Sequence, residues 1–176
     1  MVSKAKNVAH IAAYTSLTAV LAQITIYLPF TPIPITLQTL AVVLSGILGG
    51  PLIGFASQIT YLALIASGLP IAAGFKGGIT ALIGPTAGFL YGFPIAALTS
   101  GILAGNSTSR ARIALSAIAG IFSVYPTGLL WLYLVYNIRE NLLAIAFLPY
   151  IPGDVAKAIL AAEAAYRIKK LQTQTH

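Results

Sequence analysis

Residues 7–75 contain no Asp, Glu, Lys or Arg, and the stretches 77–109 and 113–138 are equally free of them. An apolar, uncharged run of roughly 18 residues or more is long enough to cross the hydrocarbon core of a bilayer as a helix. Charged residues make up only 7% of the chain and hydrophobic residues 58%, whereas a soluble domain carries about 25% charged residues. Such a chain cannot cover a water-facing surface. Disordered chains have the opposite composition, poor in apolar residues and rich in charge. The sequence therefore predicts an integral membrane protein lying almost wholly within the bilayer. At ~20 residues per helical span, 176 residues hold about six spans and leave no room for a soluble catalytic domain. The absence of cysteine excludes disulfides and thiolate metal sites.

The expected fold is all-α, a single membrane domain over residues 1–176 with six transmembrane helices in a compact bundle and an outward-facing ligand pocket. The spans are expected at 8–28, 35–49, 52–69, 85–104, 113–136 and 152–170. The first is too long for the core of a secretory signal, and its cleavage signal is poor. Three prolines, Pro29, Pro32 and Pro34, exclude helix between the first two spans. Residues 137–150 hold too few apolar residues for a span and predict an interfacial or re-entrant helix. Orientation follows from loop lysines and arginines. One side collects seven, Lys4, Lys6, Arg110, Arg112, Arg167, Lys169 and Lys170, and the other only Lys76 and Arg139, with Lys157 just inside the last span. Both termini are thus expected in the cytoplasm, with the protein multi-pass in the cell membrane. The net charge of +7 is a topology signal and not a nucleic-acid footprint.

Asp154 and Lys157 are the residues that most invite a chemical role. A charge well inside a span costs ~2.5–3.5 kcal/mol on the insertion scale and usually faces the bundle interior. Their spacing of three puts both on one helical face. One reading is a mutually neutralising pair that closes the outer end of the last helix. The other is a polar ligand site, in which the carboxylate accepts from N–H groups and the ammonium binds an anion. Three further elements arrive on the same side: Thr36, Gln38 and Thr39 after the proline loop, Lys76 among Gly74, Gly77 and Gly78, and Tyr91 near the outer end of the fourth span.

Small residues at intervals of four mark helix contact surfaces in lipid. Gly84, Gly88 and Gly92 form one such stripe, expected to pack internally. Ala9 with Ala13 and Ala12 with Ser16 form another, which suits internal packing and a partner's docking face equally. Glu163 and Arg167 are spaced as a structural ion pair near the cytoplasmic end. There is no phosphate-binding P-loop and no H-E-x-x-H motif, and no nucleophile–base or metal set, so no enzymatic activity, metal or cofactor is expected.

Three ordered motifs then carry a resemblance across nearly the whole chain. Pro32-Ile33-Pro34-Ile35-Thr36-Leu37-Gln38-Thr39-Leu40, Gly84-Pro85-Thr86-Ala87-Gly88-Phe89-Leu90-Tyr91-Gly92-Phe93-Pro94 and Pro149-Tyr150-Ile151-Pro152-Gly153-Asp154-Val155-Ala156-Lys157 resemble the BioY family. These are the biotin-binding substrate-capture (S) components of energy-coupling-factor (ECF) vitamin transporters. The resemblance implies capture of biotin from the outer side, and uptake with a membrane coupling (T) subunit and ATP-hydrolysing subunits encoded elsewhere. It assigns Asp154 and Lys157 to the biotin site, together with the loop around Gly74–Gly78 and the start of the fourth helix, and the proline segment to the loop that gates it. Ala9, Ala13 and Ser16 resemble the stripe that docks on the coupling subunit.

Two positions depart from the family pattern: Ala87-Gly88 stands where two glycines are usual, and Phe75-Lys76 where smaller or neutral residues are common. The resemblance also leaves open whether Lys157 or Lys76 meets the ligand carboxylate. The competing readings are a capture subunit for another vitamin and a small membrane channel. A channel needs polar residues along the full depth of the bundle, whereas here they gather on one side.

Overall fold

The computed structural model describes Val2–Gln174. The first apolar run forms α1 (Val2–Ala22), which stops short of residue 28. Beyond it come the β-branched Ile24, Thr25 and Ile26, which favour extended backbone. The Thr25 hydroxyl donates to the Ala22 carbonyl at 2.6 Å, satisfying one of the orphan acceptors at the helix end. β1 (Thr25–Ile26) then pairs antiparallel with β2 (Ile35–Thr36), with Thr25 opposite Thr36. The proline segment is the non-helical loop of this small hairpin. Because the hairpin takes residues 35 and 36, α2 begins only at Gln38 and runs to Gly49.

Gly50, with φ +82, makes the turn into α3 (Pro51–Ala66), whose Pro51 sits at the first-turn position where its missing N–H costs nothing. The connection between the predicted third and fourth spans contains one short helix, α4 (Ile79–Ile83). α5 (Ala87–Ala104) starts two residues later than the predicted fourth span, leaving Gly84, Pro85 and Thr86 outside it. The fifth span is broken into α6 (Arg110–Phe122) and α7 (Tyr125–Leu134). Pro126 offers no N–H to the Phe122 carbonyl, so the helix is interrupted there. Residues 137–150 form α8 (Leu142–Ala146) and a single 3-10 turn, Leu148–Tyr150. Asn137 and Asn141 precede α8 in the left-handed region, which asparagine tolerates better than most residues. α9 (Ile151–Gln174) closes the chain and extends past the predicted 152–170.

Among the described residues three helical stretches are long and apolar enough to cross a membrane: Ala87–Ala104, Arg110–Leu134 and Leu142–Gln172. Gln38–Gly49 and Pro51–Ala66 are apolar but shorter. Residues 41–47 of α2 are all buried, because α2 is packed by α1, α3, α5, α6 and α9 together. Close approach is needed there: a Cβ on Gly46 would lie 2.1 Å from the Ala97 carbonyl oxygen of α5. The predicted glycine stripe divides. A Cβ on Gly88 would lie 2.2 Å from the Trp131 Cβ of α7, and Gly92 is crowded by Thr127 and Val124 at the α6–α7 break, so both pack α5 on that broken span. Gly84 lies outside the helix. The outer surface carries large apolar side chains such as Leu52, Leu115 and Ile159, as a lipid-facing surface does.

Candidate ligand site

The helix interruptions converge on one cavity of about 520 Å³, inside the range of roughly 300–1,000 Å³ usual for small-molecule sites. Its walls come from the proline hairpin, the Lys76 loop, the Gly84–Pro85–Thr86 segment, α5, the α6–α7 break and the start of α9. Thr36, Gln38, Lys76, Asp154 and Lys157 all line it, as does Thr39. Residues scattered over the sequence are thus brought to one place.

Asp154 falls in the first turn of α9, where a negative charge is favoured by the exposed backbone N–H groups of the helix start. Asp154 is 4% exposed and Lys157 6%. The Lys157 ammonium lies 2.6 Å from Asp154 Oδ1 and also donates to the Thr36 carbonyl at 3.1 Å. The Tyr125 hydroxyl donates to Asp154 Oδ2. The carboxylate thus keeps two of its roughly four acceptor positions, and the ammonium keeps one of its three donors. This polar wall offers an acceptor and a donor side by side with little net charge.

Gln38 is buried beneath the hairpin. Its Oε1 accepts from the Thr36 hydroxyl at 3.0 Å, and its Nε2 donates to the Tyr61 hydroxyl at 2.7 Å. Tyr61 in turn donates to the Ile71 carbonyl at 2.9 Å. The Tyr150 hydroxyl ties down the hairpin: it donates to the Ile33 carbonyl at 2.6 Å. Its one proton thus committed, it accepts from the Thr31 hydroxyl at 2.9 Å. Phe89 and Phe147 meet Tyr125 edge-on, at 6.0 and 4.7 Å between ring centroids. Phe93 stacks beside Tyr61. The remaining walls are largely aliphatic and aromatic.

Tyr91 is not part of the cavity. Its hydroxyl donates to the Leu82 carbonyl, and its ring meets Trp131 edge-on at 5.5 Å. It points away because its position on α5 lies on the face that holds the α4 and α7 flank. Ala9, Ala13 and Ser16 are exposed along α1, while Thr15 on the opposite face donates to the Ser57 carbonyl at 2.9 Å. Glu163 and Arg167 pair at 2.6 Å. Sequence reasoning missed Tyr125 and Tyr150 as site residues. The available signal was their neighbourhood, since each lies within two residues of a proline that interrupts an apolar run. Among the described residues no three His, Asp or Glu side chains gather as a metal site.

Long apolar helices around a solute-sized cavity, polar on one wall and apolar on the others, define a helical membrane protein built to hold a small molecule. Comparison with known proteins makes this specific. The chain belongs to the BioY family, whose model matches residues 1–174. It is 39% identical to the "Biotin transporter BioY" of Thermotoga maritima over 162 residues, covering 92% of this chain and 94% of that one. It is 37% identical to the "Probable biotin transporter BioY" of Pyrococcus horikoshii, covering 94% of this chain and 98% of that one. Its fold is similar to the 2.1 Å crystal structure of the S-component for biotin from an ECF-type ABC transporter. The TM-score is 0.87 at 30% identity, over 96% of this chain and 93% of that one.

Proposed function

We propose that this chain is the biotin-capture subunit of an ATP-driven ECF-type uptake system. It takes biotin from the outer side of the cell membrane and passes it inward when docked on a T subunit and its ATPases. The reading is supported by relatives known as biotin transporters and by a structural neighbour that is the S-component for biotin of an ECF-type ABC transporter. The observation that carries it to these residues is the buried Asp154–Lys157 pair, 2.6 Å apart on the wall of the cavity.

Biotin presents an N–H beside a carbonyl at its ureido edge, an apolar sulfur ring, and a carboxylate on a flexible chain. The ureido edge matches the unspent acceptor positions of Asp154 and the unspent donor of Lys157. The apolar ring matches the aromatic wall of Phe89, Phe93 and Tyr125. Lys157 is already committed to Asp154 and the Thr36 carbonyl, so Lys76 is the cation left for the carboxylate. Thr36 and Gln38 hold the hairpin that covers the site.

In this reading the chain crosses the membrane six times, with α6 and α7 making one span and α4 fronting α5. The basic residues Lys4, Lys6, Arg110, Arg112, Arg167, Lys169 and Lys170 put both termini in the cytoplasm, and the cavity then opens outward. The exposed Ala9, Ala13 and Ser16 form the face that meets the T subunit, since small residues permit close helix approach in lipid. ATP is bound by the partner subunits and not by this chain.

The test is calorimetric titration of detergent-purified protein with biotin. Tight binding by the unmodified chain is expected, with Asp154→Asn weakened at least ~30-fold. Truncating one partner of a buried charge pair costs about 2 kcal/mol or more. Equal affinity in the variant removes Asp154 from the site, and tighter binding of another vitamin changes the substrate.

A further inference from the structure

We infer that Gln23, at the end of α1 and outside the cavity lining, is the positioning residue that sets where Lys76 meets an anionic ligand. The inference rests on the biotin reading above and adds to it the device that aims the ammonium.

Lys76 leaves a tight turn in which the Ala72 N–H donates to the Lys76 carbonyl at 2.9 Å. Gly74 (φ +69) and Phe75 (φ +57) occupy the left-handed region inside that turn. Phe75 is a bulky residue in a conformation that persists only where its surroundings hold it, and the residue itself is 72% exposed. The support comes from Gln23. Its Oε1 accepts from the Phe75 N–H at 3.0 Å, and its Nε2 donates to the carbonyls of Ile71 and Ala72, both at 3.2 Å. The Ala19 carbonyl in the last turns of α1 lies 3.1 Å from the same nitrogen, so the two amide hydrogens are shared among the three carbonyls. The opposite amide orientation would set oxygen against three carbonyls and nitrogen against an N–H, so the network itself assigns it.

One side chain therefore grips both ends of the turn and ties it to α1. Ala72, Ala73, Lys76 and Gly77 of that turn line the cavity. Among the described residues Lys76 makes no ion pair. A turn held in a costly conformation by a distant amide, presenting an unpaired cation at the mouth of a cavity, is arranged to meet an anion. Nothing comparable would be required of a loop that only joins two helices.

The experiment compares biotin with its uncharged methyl ester, titrated into the unmodified protein, Gln23→Met, Lys76→Met and the double variant. Methionine matches glutamine in size and removes the amide, and ester binding reports whether the cavity is still formed. Loss of one charge-assisted hydrogen bond predicts biotin binding about tenfold weaker in each single variant. Ester affinity is expected to stay unchanged in Gln23→Met, and the double variant to bind biotin no more weakly than Lys76→Met alone. An equal loss for acid and ester in Gln23→Met makes Gln23 merely structural and overturns the inference. So does an unchanged acid preference in either single variant. Absence of any biotin binding by the unmodified protein strikes instead at the proposed function, and this inference falls with it.

Discussion

Replacing Lys157 by methionine isolates what the buried pair contributes. The side chains are similar in length, so the packing of α9 on α2 is kept while the ammonium is lost. Asp154, 4% exposed, then keeps the Tyr125 hydroxyl as its hydrogen-bond donor and faces the cavity as an uncompensated carboxylate. Breaking a buried pair from one side costs ~3–5 kcal/mol. For a chain of this length each kcal/mol moves the melting temperature by about 2–4 °C, so the expected drop is roughly 6–20 °C. Asp154→Asn strands the Lys157 ammonium in the same way and should cost a similar amount. In Asp154→Asn/Lys157→Met no buried charge is left without its partner. The double variant should therefore melt well above the sum of the two losses, with a coupling of at least ~2 kcal/mol. The assay is thermal unfolding in detergent for all four proteins, with biotin titration alongside. The three variants share one binding outcome, a loss of at least ~30-fold, although their stabilities differ. Additive melting losses, or a Lys157→Met protein that melts and binds like the parent, would refute the claim that these charges form one unit.

Two further outcomes follow from contacts outside that pair. Ala9→Leu/Ala13→Leu should abolish biotin uptake by cells that contain the partner subunits while leaving binding by the purified chain within about twofold, because both residues are exposed on α1. Loss of binding as well would place the stripe inside the folded core. Tyr150→Phe removes the donor to the Ile33 carbonyl and the acceptor of the Thr31 hydroxyl. Each neutral bond contributes ~0.5–1.5 kcal/mol, so with two bonds lost the proline hairpin should release ligand roughly 5–150-fold faster in stopped-flow measurements. An unchanged off-rate removes Tyr150 as the hairpin's tether.

How far the residues alone disclose this site depends on whether a residue's environment is written nearby in the sequence. Asp154 and Lys157 were legible because charges are scarce enough that any pair inside an apolar run stands out. Lys76 was legible for the same reason, and the proline hairpin because three prolines exclude helix. Tyr91 misled for a matching reason. A tyrosine near the expected depth of the site looks equivalent to any other until helix rotation is known, and rotation here turns it toward Trp131 and the Leu82 carbonyl. Tyr125 was missed because its role depends on α6 stopping at Phe122. That break moves the tyrosine from the side of a continuous span to the first turn of a new helix facing Asp154. The end of α1 at Ala22 was hidden too, since a helix and an extended hairpin share one uncharged run.

The polar contacts of the cavity share a structural cause. Within the hydrocarbon region an uninterrupted helix spends its backbone hydrogen bonds on itself, and irregular backbone is tolerated only where protein buries it or a cavity receives it. Asp154 lies in the first turn of α9 with Lys157 one turn on, Gln38 opens α2, Tyr125 opens α7, and Thr36 and Lys76 stand between helices. The Thr36 carbonyl can accept from Lys157 because hairpin pairing, not a helix, holds its backbone. The same logic explains why Gly84, Pro85 and Thr86 lie outside α5 and line the cavity, although sequence alone predicts a helix from Pro85. The prolines and glycines that shorten the helices thus also make the opening into which the few charged residues can point. A substitution that restored helix continuity, such as Pro126→Ala, is for this reason a site mutation as much as a backbone one. By extending α6 toward Tyr125 it should swing the hydroxyl off Asp154 and lower biotin affinity, even though Pro126 itself does not line the cavity.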